Sequence, residues 1–322
     1  AFEPMDHRAL LASQGVPTIG GVVAANVSGP RRIAVGACRD FMLGVRYING
    51  NGDVVKNGGR VMKNVTGYDL VKLMSGSYGT LGVLTEVSLK VLPDIETAAT
   101  LRFAGLGTSS AIACMSAALG SPFEVTGAGQ LDGDTFIRIE GFEKSVKYRT
   151  KALSEALATF GTPEVVNTPT AHQAIWQDLR DQSGFASHTA VWRISLRPSQ
   201  SAGFIANLSP QHDFDISLDW GGGLIWIATT DPQLRRSAQN HADTAPHDDA
   251  ATGAALLHRT LQSDAGALGG HAAVVKDSFG LKPRFQPQPA ALAAISDGLR
   301  SRLDPRGIFI LGLMSWRVLA CV

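Results

Sequence analysis

Cysteine is scarce in this chain: Cys38, Cys114 and Cys321 are odd in number and far apart. That excludes a secreted disulfide framework and equally a Cys-x-x-Cys iron–sulfur or zinc site, and it points to a reducing cytosol. An excess of one charge is also missing, since 29 Lys and Arg face 28 Asp and Glu for a net +1. With only Arg31-Arg32 and Arg235-Arg236 as basic doublets, neither a nucleic-acid stripe nor a polybasic membrane patch is present. No apolar run is long enough for a transmembrane segment, and the most apolar tail, 310–322, is short and carries Arg317. Histidine is sparse too. His241 and His247 lie six apart in the polar stretch 237–252, which reads as a solvated loop and not as a metal site. Two nucleotide signatures are absent as well: no strand leads through G-x-G-x-x-G into a helix, and no G-x-x-x-x-G-K precedes one.

What the chain does have is glycine, 35 residues, within 322 residues of 44% hydrophobic content that suit two or more lobes. Gly76-Ser77-Tyr78-Gly79-Thr80-Leu81-Gly82 leads into a strand-like alternation from Val83 to Leu92, and a short helical stretch, 68–75, comes before it. A second glycine-rich stretch lies upstream, Thr18-Ile19-Gly20-Gly21, followed by Asn26 and Gly29. Glycine at such places lets main-chain N–H groups touch a ligand or adopt positive φ, because a Cβ would obstruct both.

Taken together, Thr18-Ile19-Gly20-Gly21 with Asn26 and Gly29, Arg39-Asp40, Thr66-Gly67-Tyr68-Asp69-Leu70 and Gly76-Ser77-x-Gly79-Thr80-Leu81-Gly82 resemble the FAD-binding domain of the vanillyl-alcohol oxidase (PCMH) type flavoproteins. Ser28-Gly29-Pro30-Arg31-Arg32, Asp219-Trp220-Gly221-Gly222-Gly223 and Phe285-Gln286-Pro287-Gln288-Pro289 resemble the glycolate oxidase FAD-binding subunits within that group. The match is dense over 15–93 and patchy beyond. The resemblance implies FAD as cofactor and a cradle of Thr18, Ile19, Gly20, Gly21, Asn26, Gly29, Asp40, Gly76, Ser77, Gly79, Thr80, Gly82 and Val83, with Val83 beside the adenine end. It also implies an earlier lobe with its own phosphate loop. The chain opens Ala1-Phe2-Glu3-Pro4 without an initiator Met, so that lobe is expected upstream and this fragment alone is expected to bind FAD poorly and to be inactive. Near the end, Asp304-Pro305-Arg306-Gly307-Ile308-Phe309 is family-like, but the Asn-Pro-Gly continuation is replaced by Ile310-Leu311-Gly312-Leu313-Met314.

The fold expectation is α+β, in three parts. Residues 1–95 form the C-terminal part of a PCMH-type FAD-binding domain, 96–280 a cap or substrate lobe with an antiparallel sheet, and 281–322 a helix and tail returning towards the first part. Asn49-Gly50-Asn51-Gly52-Asp53 marks a hairpin. Residues 146–160 carry an amphipathic helical pattern ended by Gly161, and 188–197 alternates as a strand with Trp192, Ile194 and Leu196 on one face.

A 2-hydroxy acid requires a cation for its carboxylate and a base for its hydroxyl proton, and Arg193 and His271 are the candidates. Arg193 lies opposite the apolar stripe. His271 follows Gly269-Gly270 at the start of an apolar strand. The functional expectation is an FAD-binding subunit of a heteromeric glycolate oxidase, cytoplasmic or peripheral at the inner membrane through its partners, a catalytic flavin subunit and an iron–sulfur subunit. Two rivals are a self-sufficient FAD-dependent D-lactate or 2-hydroxy acid dehydrogenase and a non-catalytic interaction subunit.

Overall fold

The five-residue turn Asn49–Asp53 reverses the chain because the Asn49 side chain does the work of a turn by itself. Its Oδ1 accepts from the N–H of Asn51 (3.0 Å) and Asp53 (2.9 Å), and Gly52 takes the left-handed conformation the turn requires (φ +89°). A computed structural model describes residues 2–62, 67–208, 214–230 and 246–309 of the protein, with only the backbone path for 246–252. The described chain divides into two units, the first comprising 2–6, 14–93 and 287–309 and the second 7–13 and 94–286.

A one-turn helix, α1 (His7–Leu11), belongs to the second unit. The first unit then takes α2 (Ile19–Ala24), α3 (Arg32–Val35), α4 (Cys38–Phe41), β1 (Met42–Ile48), β2 (Val54–Gly58), α5 (Leu70–Met74) and β3 (Val83–Leu89). Its sheet runs β2-β1-β3, antiparallel throughout, with Tyr47 opposite Val55 on one side and Leu84 on the other. Helices this short cannot stand on hydrogen bonds of their own, so caps and packing hold them. Thr18 accepts from Gly21 N (3.1 Å), Asp69 accepts from Lys72 N (3.0 Å), and Asp40 accepts from Ala37 N (2.8 Å). Their apolar sides, Val23, Cys38, Phe41, Val71 and Met74, bury against Met42, Val45 and Tyr47 of β1.

The second unit holds β4 (Thr97–Phe103), α6 (Thr108–Leu119), β5 (Gly127–Leu131), β6 (Asp134–Gly141), α7 (Glu143–Ala156), β7 (Glu164–Val166), α8 (Pro169–Asp181), β8 (Ala190–Ser195), α9 (Pro198–Leu208), β9 (Asp215–Asp219), β10 (Leu224–Thr229), α10 (Pro246–Ala267) and β11 (His271–Asp277). Helix α11 (Ala290–Leu303) follows in the first unit. Eight strands in the order β11-β8-β10-β9-β5-β6-β4-β7 form one antiparallel sheet, the topology of an α+β unit and not of a doubly wound one. One residue set of the alternation, Leu101, Ile137, Ile139, Leu218, Ile225, Ile227, Trp192 and Ile194, is fully buried. Each such side chain contributes about 1.5–3 kcal/mol of burial.

Helix α10 closes this face through Leu257 and Leu261 and through His258, whose Nδ1 accepts from Trp192 Nε1 (3.1 Å) while Nε2 donates to the Pro283 carbonyl (2.7 Å). Both ring nitrogens are thus committed and the neutral tautomer is fixed, and burial lowers the histidine's pKa. Across the opposite face, α8 lies on β5 and β6. Glycine is required beneath it, since a Cβ at Gly127 would come within 2.7 Å of the Trp176 ring and one at Gly129 within 3.1 Å of Leu179.

The start of α10 corrects the reading of 237–252 as a loop: residues 246–252 are helical, with His247 in the first turn, while 237–245, and His241 with them, lie outside the described residues. Composition misled there because the apolar residues that pin the helix come one to three turns later. The amphipathic pattern at 146–160 also ends sooner as an α-helix, at Ala156, with a single 3-10 turn, Ala158–Phe160, before Gly161 (φ +117°). Segment 284–286 runs along the outer edge of β11. Val274 N donates to the Arg284 carbonyl (2.9 Å), and Ala272 N donates to Gln286 Oε1 (3.1 Å). The motif beginning Phe285-Gln286 therefore fastens that edge to α10, through Gln262 Nε2 to the Phe285 carbonyl (3.1 Å).

Candidate functional site

In the first unit the two glycine-rich stretches come together at the C-terminal end of α2. Gly76 N donates to the Val23 carbonyl (3.2 Å), Tyr78 N to the Ala24 carbonyl (2.8 Å) and Ser75 Oγ to the Val23 carbonyl (3.4 Å). Asn26 joins them from the other side. It sits at φ +50°, accepts from Arg39 N through its Oδ1 (3.0 Å), and has its Cβ 3.4 Å from where a Cβ on Gly76 would lie. Asp40, on the same short helix as Arg39, is half exposed. Thus Thr18 through Asn26, the Arg39-Asp40 turn and the 76–80 loop, far apart in sequence, form one wall.

The polar members of the wall hold the wall itself. Ser77 Oγ donates to the Met74 carbonyl (2.8 Å) and Thr80 Oγ1 to the Ser77 carbonyl (2.6 Å), and both side chains are buried. Thr18 spends its oxygen on capping α2. The glycines divide into two kinds. Gly79 is at φ +72° with open space where a Cβ would be, and nothing lies nearer than 4.0 Å to a Cβ on Gly20. Gly82, in contrast, packs inward, where a Cβ would stand 2.8 Å from the Ile48 carbonyl oxygen and the Tyr47 ring. Gly29 is buried and gives its N–H to the Phe2 carbonyl (3.0 Å). Gly21 is held by Thr18, whereas Ile19 and Val83 are about half exposed. Open main chain at Gly20 and Gly79 suits a group bound through backbone N–H, the need a pyrophosphate has. Cys38, below this wall, is not a nucleophile there: burial pushes its thiol up to about 11.

In the second unit the register places Arg193 and His271 on one face of neighbouring strands. Arg193 pairs with Trp226 of β10 and Ala273 of β11, and Ser195, two residues on, pairs with Leu224 and His271. Directly paired residues and those two apart share a side, so Arg193, Ser195 and His271 face the same way, away from Trp192 and Ile194. Asp219, paired with Leu224, ends the same row and is buried. Arg193 and Ser195 are partly exposed and His271 is exposed. Trp220 was not apparent as a site residue from sequence. Its ring stacks on the Arg193 guanidinium, 5.0 Å from centroid to Cζ, and its φ of +54° is rare for so large a side chain. Its sequence signal is its place in the motif Asp219-Trp220-Gly221-Gly222-Gly223.

A scan of protein-family models gives no match. The chain is 36% identical over 303 residues to the glycolate oxidase subunit GlcE of Escherichia coli, covering 92% of this chain and 71% of that protein. The glycolate oxidase subunit GlcD of Bacillus subtilis is 42% identical over 90 residues, 28% of this chain and 19% of GlcD. A D-lactate dehydrogenase of Anaerostipes hadrus is 45% identical over 76 residues, 24% of this chain and 16% of that one.

Among solved structures, the VAO-type flavoprotein MtVAO615 of Myceliophthora thermophila superposes with a TM-score of 0.57 at 15% identity. An alkyldihydroxyacetonephosphate synthase superposes with 0.56 at 14%. These alignments cover 92% and 96% of this chain, which spans 60% of each of those chains. The fold is therefore that of the VAO-type flavoproteins, and the chain belongs to the GlcE family of glycolate oxidase subunits.

Proposed function

We propose that this chain is the FAD-binding subunit of a heteromeric glycolate oxidase, in which a 2-hydroxy acid loses two electrons and two protons to become a 2-oxo acid. The electrons leave for a catalytic flavin subunit and an iron–sulfur subunit. The observation that carries this reading is the joining of the two glycine-rich stretches into one wall with open main chain at Gly20 and Gly79, in a chain of the GlcE family. Bound FAD supplies the two-electron acceptor chemistry. Gly20 and Gly79 admit its phosphates, and Asn26 and Asp40 hold the turns behind them. Arg193 takes the substrate carboxylate on its planar N–H fork, and His271 accepts the hydroxyl proton. A self-sufficient D-lactate dehydrogenase is less well supported, because that likeness is confined to 24% of the chain whereas the GlcE match runs over 92%. No helix among the described residues is long and apolar enough to cross a membrane; the proposed complex is cytoplasmic or peripheral at the inner membrane through its partner subunits.

The test uses the full-length protein assembled with its partners. Arg193→Lys should raise KM for glycolate by the equivalent of about 1.5–3 kcal/mol, the value of a hydrogen bond to a charged group, with the flavin absorbance unchanged. Unaltered KM would move substrate binding to the sister subunit.

A further inference from the structure

We infer that Trp220 is a positioning residue that fixes the Arg193 guanidinium for a carboxylate, an inference that rests on the reading of Arg193 given above. Two features single out this residue, and its surroundings enforce the second. Its ring lies over the guanidinium of a residue two strands away in the sheet, on β8, although Trp220 itself directly follows β9. Its backbone stands at φ +54°, a conformation large side chains avoid and that persists where surrounding structure enforces it. The enforcing structure is visible. Asp219, buried, accepts from Trp220 N (2.7 Å), Gly223 N donates to the Trp220 carbonyl (3.1 Å), and Ser201 Oγ donates to the Gly222 carbonyl (2.6 Å).

Beneath the turn, Gly221 and Gly222 (φ +66° and +93°) press on α6, where a Cβ would meet Leu119 at 2.5 Å and Ile112 at 3.1 Å. The turn is thus locked from below and presents the ring above. Stacking occupies the flat face of a guanidinium, whereas its hydrogen bonds lie in the plane, so the indole restrains Arg193 without using the N–H edge that a carboxylate needs. An arginine side chain otherwise loses several rotatable bonds on binding, and restraint beforehand removes part of that cost.

Trp220→Leu in the assembled enzyme should raise KM for glycolate about three- to tenfold with kcat and flavin content within about twofold of the parent, and Trp220→Phe should recover most of the loss. In the double variant with Arg193→Lys, the Trp220→Leu effect should vanish, because both act through one guanidinium. If Leu at this position prevents folding, Trp220→Gly suits the positive φ and serves instead. A second readout needs no activity: ring current holds the Arg193 side-chain proton resonances upfield in the parent chain, and they should move downfield in Trp220→Leu. An Arg193→Lys variant with a raised KM beside a Trp220→Leu variant with a normal one overturns the positioning role alone. A normal KM in both overturns it together with the carboxylate reading of Arg193, and unmoved arginine resonances overturn the stack itself.

Discussion

The two units are stabilised at different levels of the chain. In the first, three strands and, apart from the 14-residue α11, helices of four to six residues surround a small core, and side-chain caps tie the short helices down. In the second, eight strands and helices of up to 22 residues bury a continuous apolar face. The first unit also leaves Ile19, Val54, Tyr68, Val83 and Val91 more than half exposed. The first unit is held mainly by local caps and turns, the second mainly by burial of its sheet face.

The contrast is sharpest at Trp192. Removing its fully buried ring in Trp192→Ala leaves a cavity and the His258 Nδ1 without its donor. A loss of about 3–5 kcal/mol is expected, the usual cost of truncating a buried aromatic side chain. Denaturant unfolding followed by hydrogen exchange should show the second unit opening first; equal loss of protection in the first unit would mean that the two do not differ in this way.

Next in size is a pair of substitutions in the first unit. Gly82→Val drives a side chain into the Ile48 carbonyl and Tyr47 ring and should cost at least about 1–3 kcal/mol of stability, the range for overpacking. Gly79→Val meets no atom but is strained at φ +72°, so its main effect should be loss of flavin, read from absorbance in the full-length assembled protein, with the smaller fall in melting temperature. Equal flavin loss at equal stability would make the two glycines equivalent.

The smallest effect separates the units by acid. His258 titrates lower in the fold than its ordinary value of 6.5, so below pH 6.5 the unfolded chain binds the proton that the folded chain refuses. Its contribution to the second unit is therefore present above pH 6.5 and declines as pH falls towards the folded pKa. Melting temperature should drop across that window, and His258→Gln should flatten the drop; a drop that persists in this variant would assign it to other groups.

Much of this is legible in the sequence. The Asn49–Asp53 turn announced itself by composition, and strand β8 by alternation of Trp192, Ile194 and Leu196 against Val191, Arg193 and Ser195. Strand β7 was not legible, because three residues carry no period, and the beginning of α10 was hidden by its polar first turns. At the two glycine-rich stretches, residue types do not give the division between Gly79, with open space where a Cβ would lie, and Gly82, closed by its own sheet, since that depends on what lies across the fold. Trp220 was unreadable for a related reason: nothing in a tryptophan's identity forecasts a left-handed backbone.

The segment 284–286 that ties down β11 has a bearing on assembly. An uncovered strand offers its row of amides and carbonyls as a template on which another polypeptide can add a strand. Here one end of the eight-stranded sheet is closed by Val274 N to the Arg284 carbonyl and Ala272 N to Gln286, and the other end, β7, is only three residues long. Among the described residues, both ends of the sheet thus offer only a short stretch of open edge, which disfavours lengthening the sheet by strand addition.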